Sequence, residues 1–269
     1  MKIKFNLFLK SFLLSFAAFA LVACIILASL YINAVSIEPE KEETTVLLGI
    51  ADKEKLLSLT VINFDPSSTK ISFLPIPDNT LLESNTLLQA TYPTASVDMA
   101  LESIELIIGA EIDRYAILSV DALAYAVNEM GGFEYLIPNK FVYNGKLYSG
   151  PERNMNGDLA RAMFTYKGYD MKKVSISDMG LSFLYSFLSK FANSSYTYKM
   201  GEVLTSDTML RLIDTDLSDK DLLAYCSLLS RYSSYSINEI KLMGTYHDEA
   251  SSSIYFTPNN YNSDKNIFK

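Results

Sequence analysis

The sequence predicts an α/β (α+β) fold, with helices packed on the faces of a mixed central β-sheet, preceded by one transmembrane helix. Two observations carry this prediction. Short apolar runs typical of buried strands alternate with segments in which apolar residues recur at helical spacing, and such alternation is typical of helices packed against a sheet. At the N-terminus, residues 11–37 form an uncharged, largely apolar stretch.

The uncharged stretch is long enough to cross a membrane. About 20 apolar residues span a hydrocarbon core of roughly 30 Å as a helix, and residues 12–32 supply them. Lys2, Lys4 and Lys10 precede the stretch and acidic residues follow it, which places the N-terminus in the cytoplasm. The predicted boundaries are a cytoplasmic segment at 1–10, an anchor at 11–35, an acidic tether at 36–45, an extracytoplasmic domain at 46–257 and a polar tail at 258–269.

Two other interpretations of the stretch were weighed. A cleaved signal peptide has a shorter apolar region, of about 7–15 residues, and a small-x-small cleavage site, whereas Ile32 stands two positions before Ala34 here. Residues 21–24 read Leu-Val-Ala-Cys, a motif at which bacterial lipoproteins are cut and lipidated, but the chain stays apolar after Cys24. We therefore expect an uncleaved anchor in which Cys24 is a small apolar residue.

The composition of the external part argues against several functions. Three of the 23 basic residues and none of the 31 acidic residues precede residue 38, which leaves a net charge of −11 outside. Such a domain has no general attraction for nucleic acid. Cys226 is the only external cysteine and lies in a helical apolar stripe, so we expect a buried, unreactive thiol. His247 is the only histidine, so a zinc site would lack a second His or Cys ligand.

The external domain begins with three predicted strands. Residues 46–50 form a short apolar run, and residues 57–61 alternate between apolar and polar side chains. Turn-forming residues at 65–68 precede a further run at 70–76. The second and third strands are therefore expected to form a hairpin.

Helices and strands alternate beyond the hairpin. Helical spacing predicts a helix over 97–108, with a glycine directly after it as the stop. A strand over 114–120 leads into a helix that Asp121 can cap and that ends at Gly131. A strand over 133–137 follows.

The last part of the domain is predicted to be helical after a loop. Residues 139–156 are rich in Gly, Asn and Tyr, which indicates a loop. Apolar spacing over 184–191 predicts a helix with Asp178 as its cap. Ser218 and Asp221 resemble a capping box for the helix that carries the cysteine.

Several segments resemble the LytR–CpsA–Psr family. Residues 70–80 read KISFLPIPDNT and resemble the family signature K-x-V-S-L-L-S-I-P-R-D-T. Residues 100–109 resemble its A-L-E-T-V-E-N-L-L-G, and residues 112–132 its I-D-Y-Y-V-x-V strand and glycine-ended helix. Residues 155–160 are similar to its L-N-G-E-Q-A-L. Order and spacing agree from about residue 45 to 191, and the chain is identified as a member of this family.

The resemblance implies a bacterial, single-pass membrane protein that transfers an anionic glycopolymer from a polyprenyl-pyrophosphate carrier to peptidoglycan. The prenyl chain would lie in an apolar tunnel, while arginines and an aspartate-held magnesium ion grip the pyrophosphate at its mouth. These groups suit the chemistry, because arginine donates to phosphate in bidentate fashion and magnesium prefers hard oxygen ligands. Both neutralise charge that develops on the leaving group.

Most of the residues that the family uses for this chemistry are replaced. Leu57 stands where a metal-associated aspartate is expected. Asp78 stands in place of an arginine and Asn79 in place of an aspartate. Tyr166 stands in place of the second arginine of an R-x-R motif. Each lost arginine removes an attraction of roughly 4 kcal/mol before solvent screening, which predicts impaired catalysis.

Nearby lysines and acids are candidate substitutes for the lost groups, because lysine can hold phosphate as a point charge. The resemblance also aligns Asp170 and Lys173 with the family's D-x-x-R, and Asp52 lies one residue from the position of its first aspartate. The candidates are Lys55, Lys167 and Lys173 for catalysis, Lys53, Asp78, Asn79, Tyr166 and Lys172 for ligand binding, and Asp52 and Asp170 for magnesium.

Three functions are compatible with the sequence. The first is a catalytically impaired member that binds a polyprenyl (pyro)phosphate carrier lipid at the cell envelope. The second is an active magnesium-dependent transferase or pyrophosphatase that uses lysines in place of arginines. The third is a scaffold or regulator that binds wall-assembly proteins rather than lipid.

Overall fold

The computed structural model describes residues 43–53, 55–94, 97–150, 153–169, 175–248, 254–259 and 266–268. They belong to a compact unit that spans Pro39–Lys269. The predicted anchor and most of the predicted tether lie outside the described residues. Within the described ranges, no helix combines the length and the apolar content that crossing a membrane requires.

The described strands and helices alternate along the chain. The strands are β1 (Thr44–Ala51), β2 (Leu56–Asp65), β3 (Lys70–Ile76), β4 (Arg114–Ser119), β5 (Phe133–Tyr135), β6 (Phe141–Tyr143), β7 (Lys146–Tyr148), β8 (Arg153–Met155), β9 (Ile213–Thr215), β10 (Ser236–Glu239), β11 (Gly244–Asp248) and β12 (Ile254–Pro258). The helices are α1 (Thr91–Thr94), α2 (Val97–Ile108), α3 (Val120–Met130), α4 (Gly157–Thr165), α5 (Ile176–Phe191), α6 (Thr197–Leu204), α7 (Asp207–Leu210) and α8 (Asp219–Leu229).

A six-stranded mixed sheet forms the centre, in the order β10-β3-β2-β1-β4-β9. Strand β1 pairs antiparallel with β2 and parallel with β4, and β2 pairs antiparallel with β3. The predicted mixed sheet and hairpin are therefore confirmed. Asp65 closes the hairpin turn, because its carboxylate accepts hydrogen bonds from Ser67 and Ser68. These hydrogen bonds hold the pKa of Asp65 at about 2, below its ordinary value.

The two faces of the sheet are covered by different helices. On one face, Leu47 and Ile117 lie in an apolar cluster with residues of α2 such as Ile104. On the other face, the alternate residues of β1, including Leu48, point toward α3, α5, α6 and α8. This separation follows from the strand period of two, since successive side chains point to opposite faces.

The caps of two helices differ from the predictions, which named Asp121 and Asp178. Helix α3 is capped by Ser119, whose hydroxyl accepts from the Ala122 amide at 3.0 Å. Helix α5 is capped by Ser175. Both aspartates lie in the first turn instead, where a carboxylate still interacts favourably with the helix dipole. The capping box predicted at the start of α8 is confirmed.

The predicted loop at 139–156 contains more regular structure than expected. It holds the β6–β7 hairpin and strand β8, which pairs with β5 rather than with the central sheet. Asn144 and Gly145 form the hairpin turn at φ values of 49° and 71°. An Asn-Gly pair between apolar residues is a strong hairpin signal, and it was available in the sequence.

Gly157 allows close contact between two helices, and its replacement tests the packing. A Cβ at Gly157 would overlap the carbonyl oxygen of Ala124 on α3. We expect Gly157→Ala to lower the free energy of unfolding by about 1–3 kcal/mol, as overpacking does. Gly150→Ala is the control, because its Cβ would make an ordinary contact of 3.7 Å with Leu136. Urea unfolding of the full chain in detergent measures both, and equal midpoints would contradict the packing argument.

Candidate functional site

Three strands that run in the same direction deliver polar residues to one edge of the sheet. Strands β1, β3 and β4 run in the same direction, and β2 starts where they end. Asp52 and Lys53 follow β1, Asp78 follows β3, and Ser119 ends β4. Most of the described candidate residues therefore lie along this edge, as the resemblance implies.

A polar pocket of about 740 Å³ lies at this edge, and we call it the rim pocket. Three cationic side chains line it: Lys53, Lys167 and Arg211. Three carboxylates line it as well: Asp52, Asp121 and Asp214. The pocket therefore brings together predicted residues from the β1–β2 loop and from the segment after α4.

Arg211 is a member of the rim pocket that the sequence did not reveal. It follows the short helix α7 and precedes β9. No motif surrounds it, and it reaches the pocket only because β9 pairs with β4. Arg211 could have been predicted only from the pairing of β9, late in the chain, with β4, early in the chain.

The remaining predicted residues lie elsewhere. Lys55 does not line the rim pocket, and its Nζ donates to Oε1 of Gln89 at 3.0 Å. The ring of Tyr166 packs against Tyr169 and Phe141, with centroid separations of 5.0 and 6.3 Å. The predicted residues Asp170, Lys172 and Lys173 lie outside the described residues.

An apolar cavity of about 240 Å³ lies between the sheet and the second set of helices. Its lining comes from β1, β2 and β4 and from α3, α5, α6 and α8, and it includes Leu48, Leu118, Ala126, Phe183, Val203 and Cys226. Apolar cavities of about 150 Å³ stay dry and can bind small aromatic molecules. Cys226 is buried, as predicted, and forms part of the cavity wall. Burial raises the pKa of its thiol to about 12.

The apolar cavity and the rim pocket share part of their walls. Ile213 lines both of them. Ile50 and Leu118 line the cavity, while the next residues along their strands, Ala51 and Ser119, line the rim pocket. An apolar interior therefore borders a pocket that holds three cations and three carboxylates.

Asp78 and Asn79 support the structure rather than line the rim pocket. Asp78 is only 4% exposed, and its main-chain carbonyl accepts from the Gln89 amide at 2.8 Å. The side-chain amide of Asn79 donates to the carbonyl of Ile254 at 3.0 Å, which ties the end of β3 to β12. Burial raises the pKa of Asp78 to about 6, against the opposing effect of the Lys55 charge.

The carboxylates of the rim pocket do not form a metal cage among the described residues. No group of three potential ligands is close enough there to hold an ion. Asp121 pairs with Arg161 at 2.8 Å, and Leu57, which the resemblance aligns with an aspartate, is buried in an apolar cluster. Magnesium commonly uses only one or two carboxylates together with substrate phosphates, so Asp52 fits it only as part of a site that the ligand completes.

The sequence pattern of the LytR_cpsA_psr family matches residues 33–267, and the chain belongs to this family. A curated relative is the polyisoprenyl-teichoic acid–peptidoglycan teichoic acid transferase TagV of Bacillus subtilis strain 168. It is 22% identical over 242 residues, which cover 82% of this chain and 60% of the relative. The chain thus spans less than two thirds of that protein.

Solved structures confirm the fold. The crystal structure of B. subtilis TagV aligns with a TM-score of 0.72 at 20% identity, covering 85% of this chain and 96% of that one. A structure of TagT bound to LI-WTA aligns with a TM-score of 0.62 at 18% identity, covering 82% and 87%. The mixed sheet with its helices is therefore the fold of this family.

The buried Asp78 predicts an unusual pH dependence of stability. Between the ordinary value of 3.8 and the folded value of about 6, the folded state keeps a proton that the unfolded state has lost. Stability therefore falls as pH rises through this window. Asp78→Asn removes this titration. The free energy of unfolding of the variant, relative to that of the native protein, should therefore rise by up to about 3 kcal/mol between about pH 4 and pH 7.

Urea midpoints of both proteins at the two pH values measure this gain. Glu102→Gln, which changes an exposed carboxylate, is the matched control and should show no such gain. If the difference in stability between Asp78→Asn and the native protein stayed constant with pH, Asp78 would not titrate in this window.

Proposed function

We propose that this protein binds a polyprenyl (pyro)phosphate carrier of a wall glycopolymer at the outer face of a bacterial membrane, with weak transferase activity or none. The observation that carries the proposal is the shared wall of the apolar cavity and the rim pocket. A prenyl chain is apolar and its phosphate head is anionic. An apolar interior that borders Lys53, Lys167 and Arg211 matches both parts.

The family and its relatives support the same class of ligand. TagV is named for the transfer of teichoic acid from a polyisoprenyl carrier to peptidoglycan, and TagT is bound to LI-WTA in its structure. The cavity of about 240 Å³ is smaller than the roughly 300–1,000 Å³ of typical small-molecule sites. A long prenyl chain would therefore have to push the helices away from the sheet on entry.

Weak catalysis follows from the charges that surround the site. Asp78 replaces a positive side chain by a buried carboxyl, and Leu57 removes a carboxylate that a metal would need. Lys55 does not line the rim pocket. A loss of about 3 kcal/mol in transition-state stabilisation already slows a reaction more than a hundredfold.

The location at the membrane rests on the sequence. The uncharged stretch at 11–35, with lysines before it and acidic residues after it, would hold the domain outside the cell as a single-pass protein. A carrier lipid in the outer leaflet would then be available to the domain. The polymer, its acceptor and any wall-assembly proteins are the partners that this location allows.

Charge reversal at the rim pocket tests carrier binding. We expect Lys53→Glu combined with Arg211→Glu to lower the amount of polyprenyl phosphate recovered with the full-length protein at least tenfold, because two attractions become repulsions. Mass spectrometry of the extracted lipid measures this. Lys220→Glu with Arg231→Glu changes the net charge equally at exposed positions outside the pocket and should retain the lipid. Native protein that stays empty even with added carrier lipid would refute the proposal.

A second candidate function is an active magnesium-dependent transferase or pyrophosphatase. It is favoured by the presence of Asp52, Lys53 and Lys167 in one pocket. This candidate predicts magnesium-dependent release of phosphate from a polyprenyl pyrophosphate, lowered more than tenfold by Asp52→Asn or Lys167→Ala. Asp219→Asn and Lys220→Ala, at exposed positions on α8, are the controls. Release that is equal in all variants would exclude this site as its source.

A further inference from the structure

The β6–β7 hairpin carries an apolar surface that no other described element covers. Val142 and Leu147 are directly opposite each other across the two strands, so their side chains lie on the same face. They are 46% and 56% exposed. Leu136, just before the hairpin, is 57% exposed and lies beside Gly150 at the hairpin's end.

The exposure of this pair does not result from a poorly formed hairpin. The opposite face is packed: Phe141 is fully buried and its ring stacks on Tyr148 with a centroid separation of 5.4 Å. The Asn144–Gly145 turn has the positive φ values that a tight hairpin needs. The hairpin is thus a firmly held support that presents two aliphatic side chains to the outside.

The charge of the hairpin indicates what covers this surface. Lys140 and Lys146 are exposed, and no acidic residue occurs between residues 136 and 150, in a chain with a net charge of −8. Strand alternation places Lys146 on the face opposite Val142 and Leu147, together with the half-buried Tyr143 and Tyr148, and its Nζ lies 5.3 Å from the centroid of the Tyr148 ring. Lysines, tyrosines and aliphatic residues together are typical of segments that lie in the interface of an anionic membrane.

We propose that the β6–β7 hairpin docks on the anionic lipid surface of the membrane that holds the anchor, with Val142 and Leu147 inserted among the headgroups. The proposal rests on the proposed function for the location of the domain. The local charge of the hairpin overrides the acidic character of the whole domain, because attraction to the surface falls off within a Debye length.

Docking through the hairpin would bring the rim pocket close to the source of its ligand. Phe141 of the hairpin packs against Tyr166, and the next residue, Lys167, lines the rim pocket. A hairpin held at the membrane would therefore hold this side of the pocket near the headgroups. A carrier lipid could then reach the cavity with little exposure of its chain to water.

The chain contains no tryptophan, so one introduced indole reports on one position. We expect the full-length Leu147→Trp protein, in liposomes that contain phosphatidylglycerol, to show blue-shifted emission that brominated lipids quench at least twofold. Tyr198→Trp, at a 77% exposed position on α6, is the control and should emit as a water-exposed indole without such quenching. Adding Lys140→Glu and Lys146→Glu to Leu147→Trp should reduce the quenching, and zwitterionic liposomes should have the same effect.

Equal quenching of the two tryptophan variants would overturn the proposal. Solvent-like emission from Leu147→Trp that changes only when a crosslinked protein neighbour is present would also overturn it, in favour of a protein partner. Unchanged urea midpoints show that the variants are folded. Carrier retention is measured separately, so retained lipid without quenching would refute the docking alone, and quenching without retained lipid would refute the proposed function alone.

Discussion

The parallel pairing of β1 with β4 is the constraint on which the rest of the structure depends. It sets Ala51 beside Ser119 at one edge of the sheet, and the residues that follow build the rim pocket. Because successive side chains of a strand alternate, the remaining residues of β1 point to the two opposite faces of the sheet. Leu47 packs under α2, whereas Leu48 faces the apolar cavity. One strand pairing thus joins an apolar interior to a charged edge, which is the arrangement that an amphiphilic ligand needs.

The segment that carries the strongest family signature supports the structure in this chain. Asp78 and Asn79 are buried, and Asn79 anchors β12 through its side-chain amide. A carboxyl in that environment is costly when charged, so Asp78 gives up its proton only near pH 6. The cations of the rim pocket come instead from Lys53, Lys167 and Arg211, which lie on other segments. Under the proposed function, these cations would keep a binding site although the groups that accelerate phosphoryl transfer are replaced.

The net charge of the domain and the local charge of the hairpin lead to different expectations about attraction to an anionic membrane surface. The part of the chain after residue 37 is strongly acidic, which argues against general attraction to anionic surfaces. The β6–β7 hairpin and the residue before it nevertheless carry two exposed lysines, Lys140 and Lys146, in the same segment as two exposed aliphatic side chains. Because charge is screened over about 8–10 Å at physiological salt, such a patch acts largely by itself. The acidic remainder would keep the other faces away from the membrane and so orient the domain.

The sequence by itself determined the mixed α/β fold, the first hairpin and helix α2, because local apolar periodicity and turn residues specify them. It determined the family through motifs that resemble the family's signatures. It also named Lys53 and Lys167 as candidates, since both lie in segments that resemble the family, and both line the rim pocket. Only the tertiary structure decided that Asp78 is buried, that Lys55 turns toward Gln89, that serines cap α3 and α5, and that Arg211 reaches the rim pocket. The physical reason is that burial, cap geometry and contacts between distant strands depend on packing, which a linear pattern does not record.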